Sequence, residues 1–482
     1  MKQDHIIQKV FVEITVNNKE KALGIKEDIN SFLSIDVFPE IEKYINTLEY
    51  NLAGHTLQIP RLELNLDVKN SLLNSELKDQ IVQHLEKELS EITESIVSSD
   101  QKTENDSQLY LVNNQEKVIQ AFIYFLEKGS MPWWNLNGKS IAVLEPAVFE
   151  AMILTKNFGK RMIPVLSKQH VQERIINQLS NKQIAQLCQI ILEDRELKID
   201  LGIDTIQYIS ALNHTERVII WQLVFNILSK DFNSSNHNIQ EYILQQISKI
   251  ETASSSQAKS IHQHWKTAAK IFPFIIENEI LNIIKNNITD NLDTPETLMK
   301  KMDSIEQKNT ESHEDLSENG QYVQNAGLVL IHPFIKTFFE HCDLLHPETG
   351  QLLDPELCVH LLHYIATGNT NAPEYDMIFE KFLCNIPINQ SINKHIKISR
   401  KHKTQAKNVI ESVQHNWGPM KKSSAALLQN EFFQRSGKLV ITDYDYTLTV
   451  ERKTQDILME KLAWGVGLIK LPWKEKFIFV NW

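Results

Sequence analysis

Two short runs near the start of the chain alternate strictly between apolar and other residues. Val10, Val12, Ile14 and Val16 are interleaved with Lys9, Phe11, Glu13 and Thr15, and Leu62, Leu64, Leu66 and Val68 with Arg61, Glu63, Asn65 and Asp67. Side chains along a strand point to opposite faces in turn, so each run predicts a strand with one apolar row on a core face. Between them Ala22 to Leu33 has helical spacing, and Pro39 opens a further segment. Leu73, Leu77, Ile81, Leu85, Leu89, Ile92 and Ile96 then recur at steps of three and four. That stripe predicts a long amphipathic helix, with the strands as the obvious surface for its apolar face. Residues 1–97 therefore read as an N-terminal strand-helix-strand-helix α+β domain.

Ser98 to Gln108 holds no apolar residue and reads as a linker, 98–108. From 109 to 302 the pattern is almost wholly helical. Val118, Phe122 and Phe125 mark one helix that Gly129 ends, and Met131-Pro132-Trp133-Trp134 follows as a loop with two large indoles to bury. Further helices are expected near 168–179, 181–193, 215–229, 239–249, 260–271 and 274–286, as a bundle or array without a fixed repeat. Residues 303–322 carry Asp303, Glu306, Glu311, Glu314, Asp315 and Glu318 against Lys308, which predicts an acidic flexible linker. In the last segment, 323–482, helices are expected around 328–341, 355–366, 374–383 and 404–416. A hairpin at 439–442 and 447–451, a short helix at 455–461 and a strand at 477–482 follow. The fold class is α+β, predominantly α-helical.

At 482 residues, 42% hydrophobic and 23% charged, the chain has ample length for buried cores without disulfide or metal staples. A net charge of −11 argues against nucleic-acid binding, which needs a clustered basic surface. Met1 to Ile14 lacks the apolar stretch of a signal peptide, and no run approaches the roughly 20 apolar residues of a membrane span, so a cytoplasmic protein is expected. Cys188, Cys342, Cys358 and Cys384 have no C-x-x-C spacing and read as small buried hydrophobes.

Leu439 to Leu448 carries the one enzyme-like pattern, an apolar strand entering Asp443-Tyr444-Asp445-Tyr446-Thr447. It resembles the first motif of haloacid-dehalogenase-type phosphatases, in which one Asp attacks phosphorus and the second protonates the leaving group. The residues after Thr447 are too few for the rest of such a domain, so a hairpin turn is the competing reading, and no enzyme activity is expected. His360 and His363 lie three apart on a predicted helix near Cys358, but the H-E-x-x-H pattern is absent and helix packing explains them better. Phosphate-binding glycine loops and serine elbows are absent. The basic run Lys394, Lys397, Arg400, Lys401 and Lys403, near His395 and His402, reads as a solvated loop rather than an RNA contact. No cofactor, metal or membrane partner is expected. Trp133, Trp134, Trp417, Trp473 and Trp482 fit either partner anchors or core residues, since an indole buries much area at little entropic cost.

Several runs, in their order, resemble the tape measure proteins of contractile injection systems, found in phage-tail-like particles. They are Asn325–Phe334 (N-A-G-L-V-L-x-H-P-F), His360–Gly368 (H-L-L-x-Y-x-A-T-G), Lys381–Cys384, Trp417–Ser423, Phe432–Leu439 (F-x-x-R-x-G-K-L), Leu471–Trp473 and Val480–Trp482. The Pro132-Trp133-Trp134 loop and Arg61–Leu64 are similar too. The resemblance implies a structural and assembly protein that works by contact with tail-tube and baseplate proteins and has no catalytic residues. Asn325, Pro333, Trp417, Arg435, Trp473 and Trp482, with Trp133 and Trp134, become candidate docking or core-anchor residues. The family name implies a ruler for tube length. One continuous helix of this length would span roughly 720 Å, whereas 14 Pro, 14 Gly and strand patterns at both ends read as folded units. A literal ruler and a globular assembly factor both remain open at this point.

Overall fold

A computed structural model describes residues 7, 10–16, 19–48, 55–59, 62–66, 73, 75–98, 110–135, 142–193, 199–229, 270–273 and 320–482. The chain divides into two compact units, Met1–Gln120 and Ala121–Trp482. The linker expected at 98–108 beyond Ser98, the helices at 239–249 and 274–286, most of that at 260–271, and the acidic stretch as far as residue 319 lie outside the described residues.

In the first unit, helix α1 (Lys19–Phe32) passes through a π turn (Leu33–Val37) into α2 (Phe38–Leu48). The Phe38 N–H donates to the Leu33 carbonyl, five residues back. Pro39 comes next, with no N–H to give, and a widened turn is a common accommodation beside such a break. Strand β1 (His55–Gln58), helix α3 (Ser75–Ser98) and strand β2 (Tyr110–Asn113) complete the unit. The expected strands at 10–16 and 62–68 do not form in the described parts: residues 10–16 and 62–66 have no regular structure, and Phe11 is 81% exposed. Alternation makes a strand possible, but a hydrogen-bonded neighbour is what makes it one. The pair that does form is β1 with β2, antiparallel from His55 opposite Asn113 to Gln58 opposite Tyr110. The α3 stripe is real, yet its partner is helical. Leu85 and Leu89 close a buried cluster with Phe32, Val37 and Ile41, while Leu62 and Leu64 lean on it.

The second unit takes up α4 (Asn114–Lys128) from Ala121 onward. Gly129 ends this helix at φ +77°, its N–H donating to the Phe125 carbonyl at 2.8 Å. A short 3-10 turn (Trp133–Asn135) and helices α5 (Pro146–Ile153), α6 (Phe158–Leu166), α7 (Gln169–Gln178), α8 (Asn181–Leu192), α9 (Ile203–Ser210) and α10 (His214–Ser229) follow. Their ends are chemically marked. Ser180 and Gln183 form a reciprocal capping box on α8. Arg217 donates to the carbonyls of Ile176 and Leu179, closing the end of α7. Helices α7, α8 and α10 match expectation. Helices α5, α6 and α9, of eight, nine and eight residues, were not expected, being too short to display a stripe.

From Gly320 the chain builds a mixed core. Strand β3 (Gln321–Val323) begins inside the span expected as linker. A buried 3-10 segment (Ala326–Ile331) leads into α11 (His332–His341). Then come α12 (Pro355–Thr367), a 3-10 turn (Glu374–Asp376), α13 (Ile378–Leu383), α14 (Arg400–Asn416) and α15 (Ala425–Leu428), which ends in a π turn (Gln429–Phe433). Asp354 caps α12 with Pro355 behind it, and Gly368 ends it at φ +74°. Strands β4 (Gly437–Ile441) and β5 (Tyr446–Val450) form the expected hairpin; a 3-10 helix (Thr454–Lys461), β6 (Leu468–Ile469) and β7 (Ile478–Asn481) finish the sheet. The strand order is β3-β4-β5-β7-β6, antiparallel except where β5 and β7 run parallel. Leu439, Leu448, Val450, Ile469, Ile478 and Val480 join the buried faces of α11 to α14 in one apolar cluster. Gly327 has to be glycine: a Cβ there would lie 1.7 Å from the Phe432 carbonyl oxygen.

Candidate functional site

Several polar side chains buried in the second unit form three small clusters, which hold Asn325, Arg435 and Trp482 among the candidate residues. The first centres on Glu374. Arg174 of α7 donates from Nε to Glu374 Oε1 at 3.2 Å, and Lys381 of α13 donates from Nζ to the same oxygen at 3.1 Å. All three side chains are 0% exposed. The remaining donors are used locally: Arg174 reaches the carbonyls of Leu126 and Asn389, and Lys381 those of Ile388 and Gln390. Glu374 Oε2 accepts from the Ile392 N–H, and the Glu374 N–H donates to Gln178 Oε1. Burial lowers the Lys381 pKa against the opposing pull of Glu374. Two cations on one carboxylate, with a partner for each of their nitrogens, tie α7 to a segment 200 residues later. Gly129 sits against this cluster, where a Cβ would meet Glu374 Oε1 at 2.7 Å.

The second cluster holds Asn325 in the left-handed region, φ 55°. Its Nδ2 donates to Glu380 Oε1 at 2.7 Å, and His363 Nδ1 lies 3.0 Å from the same oxygen. Glu380 Oε2 is buried without a hydrogen-bond partner. Nearby Asp376 is pushed up to about 6 by burial and by Glu380, with His363 opposing. His360 faces elsewhere: its Nε2 meets the Asn393 carbonyl at 2.8 Å, and burial holds it down at about 4. The two histidines of α12 therefore serve separate packing contacts.

The third cluster is built on Asp456. Arg435, 0% exposed, donates from Nη2 to its Oδ1 at 2.8 Å, and Trp482 Nε1 donates to its Oδ2 at 3.0 Å. Trp417 is fully buried against Phe432, with Nε1 donating to the Leu458 carbonyl at 2.9 Å. Trp473 is buried beside Phe339 and donates to the Leu383 carbonyl at 2.8 Å. Asn325, Arg435, Trp417 and Trp473 thus lie in the core, with Trp482 half-buried at its edge. Pro333 is exposed at the first turn of α11, and Trp133 and Trp134 are half-buried. The structure brings Arg435 and Trp482 together through Asp456.

Arg174, Glu374 and Glu380 were not singled out from sequence. Arg174 carried a signal nonetheless: with Val171, Ile175 and Gln178 it occupies the stripe of α7 that turns inward, a position where a charge demands a partner. Trp464, also not singled out, packs on Phe334 and donates to the Leu330 carbonyl. The four cysteines are buried and free. In the basic run, Lys401 pairs with Asp343, and Lys403 lies over the Tyr364 ring at 5.6 Å. The run belongs to the start of α14 rather than to a loop alone.

The Asp-x-Asp-x-Thr stretch is the turn between β4 and β5. Thr442 Oγ1 donates to Asp445 Oδ1 at 2.8 Å, and Tyr444 projects into solvent. One cleft of about 400 Å³ is lined by Gln351–Glu356, Cys384–Ile386, Gln390 and Trp473. Among the described residues no three His, Cys, Asp or Glu side chains are placed to share a metal ion, and no helix is long and apolar enough to cross a membrane.

A comparison with known families matches residues 4–482 to the one described as contractile injection system tape measure protein. No curated protein matches the chain, and no solved structure does.

Proposed function

Because the chain belongs to the contractile injection system tape measure protein family, we propose that it works in tail-tube assembly as folded units rather than as one stretched ruler, by contact with tube and baseplate proteins, and without catalysis. The observation that carries this reading is the Arg174–Glu374–Lys381 cluster, three fully buried charges joining segments 200 residues apart. Extending the chain would strand those charges and expose the apolar cluster around α11 to α14, so it would cost the unit's folding free energy, about 5–15 kcal/mol for an ordinary domain. The longest described helix, α3, has 24 residues, about 36 Å at the standard rise, so no described element is itself a long rod. The assembly is expected to take place in the cytoplasm. Deleting the gene and imaging the particles tests the role. Loss of particles, or a broadened tube-length distribution, is expected; normal number with normal lengths would refute it.

A further inference from the structure

The turn Thr442-Asp443-Tyr444-Asp445 is the most enzyme-like stretch of the sequence, and an assembly role by itself leaves it unused. Tyr444 is 91% exposed, more than any other large hydrophobic side chain among the described residues. The backbone beneath it is held firmly. The Thr442 N–H donates to the Asp445 carbonyl at 3.0 Å, the Asp445 and Tyr444 N–H groups donate to Thr442 Oγ1, and Lys476 Nζ donates to the Thr442 carbonyl at 3.0 Å. The flanking strands are in register from Gly437 opposite Val450 to Ile441 opposite Tyr446. Asp445 turns its carboxylate into the turn, toward Thr442. Asp443 is exposed and, among the described residues, makes no ion pair.

A tyrosine carried on a stiff backbone has only its two side-chain torsions to order when it is buried, and tyrosine is among the residues most often found to dominate interfaces. An unpaired carboxylate beside it sets the sign of the surface that can receive it, because a like charge there is repelled and a cation is drawn in. We propose that the β4–β5 tip is a docking finger, with Tyr444 entering an apolar pocket on a structural protein of the particle whose rim presents lysine or arginine to Asp443. This rests on the assembly role and names the chemistry of one of its contacts.

The test expresses the full chain with the complete particle gene set and counts particles by electron microscopy. Tyr444→Ala and Asp443→Lys should each lower the count about tenfold, the scale of a lost hot-spot side chain. Tyr444→Phe, which keeps the ring, should stay near wild type. So should Ile457→Ala, a control at another exposed apolar residue, 68% exposed. Purified Tyr444→Ala and Asp443→Lys chains should melt as wild type does, which separates lost contact from lost fold. Wild-type counts for Tyr444→Ala would overturn the docking finger, and wild-type counts for Asp443→Lys would overturn its basic rim. If gene deletion still abolishes particles in either case, the assembly role stands and only the finger falls.

Discussion

Glu374 accepts from two buried cations at once. Glu374→Gln removes the carboxylate that both contact and leaves only the more weakly coupled Glu356 to oppose Lys381, and a destabilisation of about 3–5 kcal/mol is expected in urea unfolding; a change below about 1 kcal/mol would contradict the arrangement. Protonation gives a second test from the neighbouring cluster. Asp376 is raised from 3.8 to about 6, chiefly by burial, so the fold holds its proton more tightly than the unfolded chain does. Its favourable contribution is present below about 3.8 and is lost as pH rises through about 6. Asp376→Asn should therefore raise stability at pH 7 by about 1–3 kcal/mol and change little at pH 4; a loss at pH 7 would reverse the reading. His360 runs the opposite way. Lowered from 6.5 to about 4 by burial, it contributes fully above about 6.5 and loses that contribution as pH falls toward about 4. At this scale the sequence was readable where a residue type has one dominant use: Gly129 as a helix stop, the cysteines as core. Arg174 and Glu374 were not, because nothing in a linear pattern says which two charges, 200 positions apart, will share a dry pocket.

Elements divide by length and by the source of their stability. The stripe of α3 was legible because its steps of three and four extend over six turns, and the same residues fix its core: Leu85 and Leu89 against Phe32, Val37 and Ile41. Leu85→Ala should cost about 2–5 kcal/mol and loosen the first unit alone. Hydrogen exchange should then speed up in residues 75–98 while the α11–α14 region keeps its protection; equal loosening of both would show that the two units unfold together. The strands expected at 10–16 and 62–68 do not form over 10–16 and 62–66, the described parts, because alternation reports a possible face and not a hydrogen-bonded neighbour, and β1 with β2 pair instead. Strands β3 and β6, of three and two residues, are too short to show alternation at all. The β4–β5 hairpin was legible because β-branched residues flank an Asp-rich turn, whose Asp445 accepts a hydrogen bond from Thr442 across the turn.

For the molecule as a whole, the described helical segment from Ala121 and the sheet-bearing segment to Trp482 lie in one compact unit. Contacts of Gln178 and Asn177 with the backbone and side chains near 391–394 add to the Glu374 cluster in joining them. On the proposed reading, a chain closed by such distant contacts acts on tube length through what it binds rather than through how far it stretches. The most direct measurement inserts about 30 polar residues, up to roughly 100 Å of extended chain, between positions 303 and 319 and compares tube lengths by electron microscopy. Folded units acting by contact predict an unchanged length distribution. Tubes that lengthen in proportion to the insert would contradict the account and restore the stretched ruler.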